Sequence, residues 1–184
     1  NGNRTVLVNP RLTGLVVGQT LHTTHAELYR SAIEGTAFGA RMIVERMEEY
    51  GVSVSRITHC GGIAEKSGLV NQIYADVLGR KIRVSGSPQT CALGAAIFGS
   101  IVGGAHKSVK SAQRAMVSYR ETEYAPRRAE RSTYDELFAL YRVLHDALGA
   151  VSGCSHEHLG RVMPELLALQ ERARSKRAQA GAKR

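Results

Sequence analysis

Cys60-Gly61-Gly62-Ile63-Ala64-Glu65-Lys66-Ser67 is the segment whose residue types and spacing best suit chemistry. It lies between a stretch with strand character and one with helical periodicity. Two glycines there let the backbone turn sharply and let a ligand approach it closely. The helix expected behind them offers unpaired amides to an anion or a polar heterocycle. A Gly-Gly after a strand is also an ordinary turn, and spacing alone leaves both readings open. Cys154, His156 and His158 alternate, which could set thiolate and imidazole ligands on one side of an extended segment. With three candidates, flanking Gly153 and Gly160, and no second pair, a solvated connection explains them better. The carboxylates Glu45, Glu48, Glu49, Asp135 and Glu136 fall mostly on expected helices, where a solvated face accounts for them better than acid-base work. His22, His25, His59 and His106 are isolated, as surface or core histidines are.

The elements that would position these residues follow from periodicity. Residues 1–22 are rich in Gly, Asn and Thr, and the apolar stretch Leu15 to Val17 suggests a loop entering a strand. Thr24 and Glu27 have capping-box spacing. Behind them Leu28, Ala32, Ile33, Ala40, Ile43, Val44 and Met47 keep one helical face apolar until Gly51. Val54 to Cys60 is short and β-branched enough for a strand. After the glycines, Leu69, Ile73 and Val77 share a helical face ending at Gly79, and Lys81 to Val84 alternates as a second strand. Cys91 to Gly99 forms a helix in which Leu93, Ile97 and Ile101 line one face, while Ala92, Ala95, Ala96 and Gly99 keep another thin. Ser108 to Met116 is a short helix, followed by a polar, Arg-rich linker with Pro126. Thr133 and Glu136 repeat the capping-box spacing before an amphipathic helix through Leu137, Leu140, Tyr141, Leu144 and Leu148 to Gly149. A last helix starts near Pro164, a residue suited to the first helical turn. Helices alternating with strands predict an α/β layer arrangement.

At 184 residues and 43% hydrophobic content the chain can bury one sizeable core. No apolar run of about 18 residues is present to span a bilayer, and the first residues lack signal-peptide order. A soluble cytoplasmic protein is expected. Three widely spaced cysteines without a Cys-x-x-Cys pair suggest reduced thiols. The formal charge is +9, but Glu171 to Arg184 holds six basic residues against one acid, so five of the nine excess charges belong to the tail. Screening over roughly 8 Å keeps such a tail from describing the rest of the surface. A nucleic-acid or acidic-partner module acting through this tail is an alternative of a different class. Nucleic acid is disfavoured, because the chain has no Trp and none of its seven Tyr lies in the tail to stack bases.

Several segments are collinear with a known family. Asn1-Gly2-Asn3-Arg4, Arg11-Leu12-x-Gly14, Glu34-Gly35-Thr36-Ala37-Phe38-Gly39-Ala40-Arg41, Gly61-Gly62-Ile63-Ala64 with Lys66, Asp76-Val77-Leu78, and Cys91-Ala92-Leu93-Gly94-Ala95-Ala96-Ile97-Phe98 resemble, in this order, the C-terminal domain of the FGGY carbohydrate kinases. The wording is most similar to the ribulokinase branch, and Leu140-Tyr141 with Leu144-His145-Asp146 extends the likeness toward residue 170. The resemblance implies a partial RNase H-like α/β domain, the fold of the actin and hexokinase ATPases, as the C-terminal half of an FGGY kinase. It implies a nucleotide-side domain over residues 1–149, N-terminally truncated, and a C-terminal helix with basic tail over 150–184.

The same resemblance implies ATP with Mg²⁺, and ribulose or a related pentulose bound mainly by an absent N-terminal domain. Xylulose remains a second candidate sugar. Gly62 and Lys66 correspond to the adenine and ribose shelf, with Gly61, Ile63 and Ala64 as the turn around them. Relatives such as glycerol kinase carry Asn where Lys66 falls, and their following helix is one residue shorter before the counterpart of Asp76. The side-chain contact of Lys66 is therefore less secure than the backbone role. The Ala92 to Gly99 helix resembles the small-residue segment behind the nucleotide, with ordinary tight packing the blander reading. Glu34 could hold a buried hydrogen bond, though an exposed helical Glu is the simpler expectation. The family's Asp-x-Gly-Thr phosphate loop and catalytic Asp precede the matched region, so the chain alone is expected to be an inactive piece of the enzyme. An unpaired sheet edge would favour association, including a homo-oligomer.

Overall fold

The computed structural model describes residues 3, 5–149, 151 and 156–181. It is a mixed α/β structure that divides into two compact units, Asn1–Arg46 with Ala129–Arg184, and Met47–Arg128.

The second unit carries the sheet. Its strands are β1 (Ile57–His59), β2 (Ile82–Ser85) and β3 (Tyr119–Tyr124), hydrogen-bonded in the order β1-β2-β3. β1 and β2 are parallel, with Ile57 opposite Ile82 and His59 opposite Val84. β2 and β3 are antiparallel, with Arg83 opposite Glu123 and a register shift between Arg83 and Ser85. Between β1 and β2 run α2 (Gly62–Lys66) and α3 (Gly68–Leu78); α4 (Thr90–Val102) and α5 (Val109–Met116) connect β2 to β3. Ile73, Ala75 and Val77 of α3 and Ile82 and Val84 of β2 are buried and form the core of this unit. Alternation in β2 is as expected, with Arg83 outward between them. β1 is shorter than the expected Val54 to Cys60, because the Val54 carbonyl is taken by the Arg80 guanidinium at 2.6 Å instead of entering a ladder. Among the described residues β1 has a strand partner on one side only.

Two expectations for this unit need correction. The helix after the glycines is broken at Ser67, whose hydroxyl accepts from the Val70 N–H and caps α3. Leu69, in the first turn of α3, is consequently exposed rather than aligned with Ile73 and Val77. The supposed polar linker contains β3. Its residues Tyr119, Arg120, Glu121, Thr122 and Glu123 are exposed, so it is held by backbone pairing and by the cross-strand Arg83–Glu123 ion pair at 2.6 Å rather than by burial. At the β2 end, the Gly86 N–H donates to the Ser118 carbonyl at 2.9 Å, and a Cβ there would clash with the Ser118 hydroxyl.

The first unit is helical. It comprises α1 (His25–Glu49) up to Arg46, α6 (Arg128–Leu148) from Ala129, a 3-10 turn over His156–Arg161 and α7 (Val162–Gly181). The expected box starts α1: the Thr24 N–H donates to Glu27 Oε2 at 2.8 Å and the Glu27 N–H to Thr24 Oγ1 at 3.3 Å. Phe38 joins α1 to α6 by contacting the rings of Tyr134, Phe138 and Tyr141 at centroid distances of 6.1, 6.0 and 5.3 Å. Thr133 and Glu136 lie inside α6 and cap nothing, because the helix starts soon after Pro126 and Tyr134 must already be helical to reach Phe38. Pro164 falls in the first turn of α7, as expected. Leu15 to Val17 forms no strand and stays exposed. No described helix is long and apolar enough to cross a membrane.

Candidate functional site

The turn after β1 is set by Gly61, which adopts φ 88° and ψ 173°. This extended, positive-φ region is essentially reserved for glycine. Gly62 then starts α2, and the Gly61 carbonyl accepts from the Glu65 N–H at 3.1 Å. A Cβ placed on either glycine would meet nothing within 4 Å, so this side of the turn is open. Ala64 is buried at 7% exposure and roots the helix, whereas Ile63 is 72% exposed beside the open backbone. Glu65 pairs with Arg120 of β3 at 2.7 Å. Lys66 is exposed, and among the described residues no ion pair engages its ammonium. Gly61, Gly62, Ile63, Ala64 and Lys66 thus form one short turn, with Gly62, Ile63 and Lys66 facing solvent and Ala64 buried beneath them. α2 has five residues, and the Ser67 hydroxyl that follows it accepts from the Val70 N–H at the start of α3.

Sequence reasoning passed over Asn71. It is 1% exposed on α3, donates to the Ala64 carbonyl at 2.8 Å and lies 2.9 Å from His59 Nδ1. The available signal was an amide among apolar neighbours on a helix packed over a sheet. In the sequence Asp76 stands out only as part of the Asp76-Val77-Leu78 motif. It is fully buried and accepts from the Arg127 N–H and guanidinium, each at 2.7 Å, and from the Gln72 amide at 3.0 Å.

The other candidates have structural partners. Glu34 is not a plain exposed residue: its carboxylate accepts from Arg30 Nε and the Tyr134 hydroxyl, both at 2.8 Å, with 18% side-chain exposure. Burial, followed by that hydrogen bond, pushes the Tyr134 hydroxyl up to about 12, and the bond to Glu34 raises Arg30. Burial also raises Tyr141. Arg41 bonds Glu45 at 2.9 Å and Asp135 at 2.7 Å, Arg142 also pairs with Glu45, and Arg80 holds Glu48 at 2.7 Å. Glu136 pairs with Arg172 of α7, so part of the basic tail is engaged within its own unit. Cys60 and Cys91 are exposed free thiols. Cys154 lies outside the described residues, and His156 and His158 sit in the 3-10 turn. Among the described residues no three of His, Cys, Asp and Glu converge to hold a metal. On α4, Ile97 faces inward, but Ala92, Ala95, Ala96 and Gly99 are exposed, and Cβ atoms on Gly94 or Gly99 would meet nothing within 4 Å.

Residues 1–102 match the model of the C-terminal domain of the FGGY family of carbohydrate kinases. The chain is 42% identical over 153 residues to a ribulokinase of Anoxybacillus flavithermus, covering 81% of this chain and 27% of that protein. It is similar to the crystal structure of a ligand-bound xylulose kinase from Lactobacillus acidophilus, at 25% identity and a TM-score of 0.71 over 82% of this chain and 30% of that one. It is also similar to a xylulose kinase from Rhodospirillum rubrum, at 28% identity and a TM-score of 0.65 over 76% and 28%. The chain spans about a quarter of the length of the curated relatives it matches. The α/β architecture expected from the motifs agrees with these structures, and the collinear residues from Arg11 to Phe98 fall within the matched domain. The chain belongs to the FGGY family of carbohydrate kinases and carries sequence of its C-terminal domain.

Proposed function

We propose that this chain forms the adenine-side wall of the nucleotide cleft of an ATP-dependent pentulose kinase, with Gly61, Gly62, Ile63 and Ala64 as the shelf and Lys66 as its side-chain contact. The observation that carries this reading is the backbone of Gly61. A conformation reserved for glycine turns the chain off β1 and leaves Gly62 with an unobstructed face. Glycine occupies this region without strain, and it is used where a ligand must come close to the main chain. A planar heterocycle could lie against such a surface without displacing a side chain, while the exposed Lys66 ammonium could meet a ribose or phosphate oxygen.

In the whole enzyme the reaction is ribulose plus ATP to ribulose 5-phosphate plus ADP. The 42% identity to a ribulokinase supports this sugar. Xylulose is the second reading, favoured by two structural neighbours at 25% and 28% identity. Phosphoryl transfer requires positioned phosphates and a group that takes the sugar hydroxyl's proton. Glu45, Glu48, Asp135 and Glu136 are each committed to arginine partners, so none is assigned as that base. Mg²⁺ belongs with the nucleotide in this scheme. The described residues offer no converging ligand set, so no role toward the metal is assigned to them. A cytoplasmic setting suits the exposed thiols of Cys60 and Cys91.

Calorimetric titration of the 184-residue chain with ADP tests the shelf. Binding in the millimolar range is expected, weakened about tenfold or more, some 1.4 kcal/mol, by Gly62→Val. Absence of heat with the folded chain, or equal affinity for the variant, refutes it. Ribulose-dependent ADP release by the chain alone, with Mg²⁺, is expected to be nil.

A further inference from the structure

Resting on the reading of the Gly61–Gly62 turn as a nucleotide shelf, we infer that Asn71 is a positioning residue that holds this shelf in register through the Ala64 carbonyl. α2 is five residues long, and a helix of barely more than one turn has little stability of its own. Its final carbonyls have no partner within the helix. The Ile63 carbonyl is met by the Ser67 N–H at 2.9 Å, and the Ala64 carbonyl by the Asn71 side-chain amide at 2.8 Å. Asn71 is 1% exposed and Ala64 is 7% exposed, so water does not compete freely for this bond.

The second arm of the same carboxamide reaches the strand that enters the turn. A backbone carbonyl only accepts, so the Asn71 nitrogen must face Ala64 and the Asn71 oxygen must face His59 Nδ1 at 2.9 Å. His59 therefore carries a proton on Nδ1. Its ring also meets Tyr74 edge-on at 4.8 Å. One buried side chain thereby fastens a residue two positions before Gly61 and a residue two positions after Gly62. A Cβ on either glycine between these anchors would meet nothing within 4 Å. Their backbone can present a fixed surface only if both ends are held. Asn71 touches no ligand in this scheme; it acts through Ala64 and His59.

The test uses the 184-residue chain, with ADP affinity measured well below the melting temperature for wild type, Gly62→Val, Asn71→Leu and His59→Phe. Leu retains the bulk at position 71 but neither hydrogen bond. Asn71→Leu is expected to weaken ADP binding about tenfold, and to raise amide exchange across 63–66 by at least as much while exchange in α6 is unchanged. His59→Phe, which removes one arm, is expected to produce a smaller loss. A merely structural role would lower the melting temperature and leave the affinity of the folded protein unaltered. Full affinity in folded Asn71→Leu alongside weakened Gly62→Val overturns the role of Asn71 and leaves the shelf standing. No binding by wild type overturns both. Should Asn71→Leu not fold, wild-type exchange decides: amides of α2 exchanging as fast as an open loop would show that the tie does not hold. Nitrogen chemical shifts of His59 reporting an Nε2–H tautomer would likewise overturn the arrangement.

Discussion

Asp76 on α3 is fully buried, yet its carboxylate reaches Arg127, accepting the backbone N–H at 2.7 Å and the guanidinium at 2.7 Å. The pair fastens the chain leaving β3 to the helix over the sheet. The Arg127 side chain is half exposed, so removing it leaves an unpaired charge on the buried partner. Arg127→Ala is expected to cost about 3 kcal/mol, at the lower end for breaking a buried pair because Gln72 and the backbone N–H remain. Urea denaturation measures it. A loss within about 0.5 kcal/mol, the size expected of a surface substitution, would contradict this role.

Neighbouring glycines should respond differently. Gly61→Ala forces a side chain into an extended positive-φ conformation and is expected to destabilise the chain by about 1–3 kcal/mol. Gly62→Ala meets no atom within 4 Å and occupies a helical position, so its stability should stay within about 0.5 kcal/mol of wild type. Equal melting temperatures for the two variants would rule out the backbone argument.

Phe38 is 7% exposed and touches three rings of α6. Phe38→Ala is expected to lower stability by about 3–5 kcal/mol, the loss typical of emptying an aromatic core site. Chemical denaturation monitored by tyrosine fluorescence reads it. A loss below about 1 kcal/mol would mean that α1 and α6 are held together elsewhere.

Tyr134 gives the helical unit an alkaline signature. Its folded value is raised from 10.0 to about 12, so between these values the folded chain retains a proton that the unfolded chain releases. The associated stability is complete below pH 10 and is lost as pH rises toward 12. Tyr134→Phe should make the decline of melting temperature over that interval shallower. An unchanged slope would exclude Tyr134 as its source.

Local chemistry made much of this molecule legible from sequence. The Thr24–Glu27 box, the Gly79 cap with its left-handed backbone and the alternation of Ile82, Arg83 and Val84 are decided within a few residues. The two-glycine turn is legible by the same means, whereas the break at Ser67 that separates α2 from α3 is not. The collinear motifs also pointed to the family.

Tertiary structure decided what depends on partners distant in sequence. β3 was hidden because a strand held by its neighbour's backbone can remain polar throughout. Thr133–Glu136 had the spacing of a start signal but lies inside α6, where packing of Tyr134 on Phe38 governs. Glu34 looked like a surface residue until Tyr134, a hundred positions away, met its carboxylate. Asn71 gave no motif at all. Periodicity records which face is apolar, whereas a buried amide acquires meaning only when its two partners, His59 and Ala64, are brought beside it.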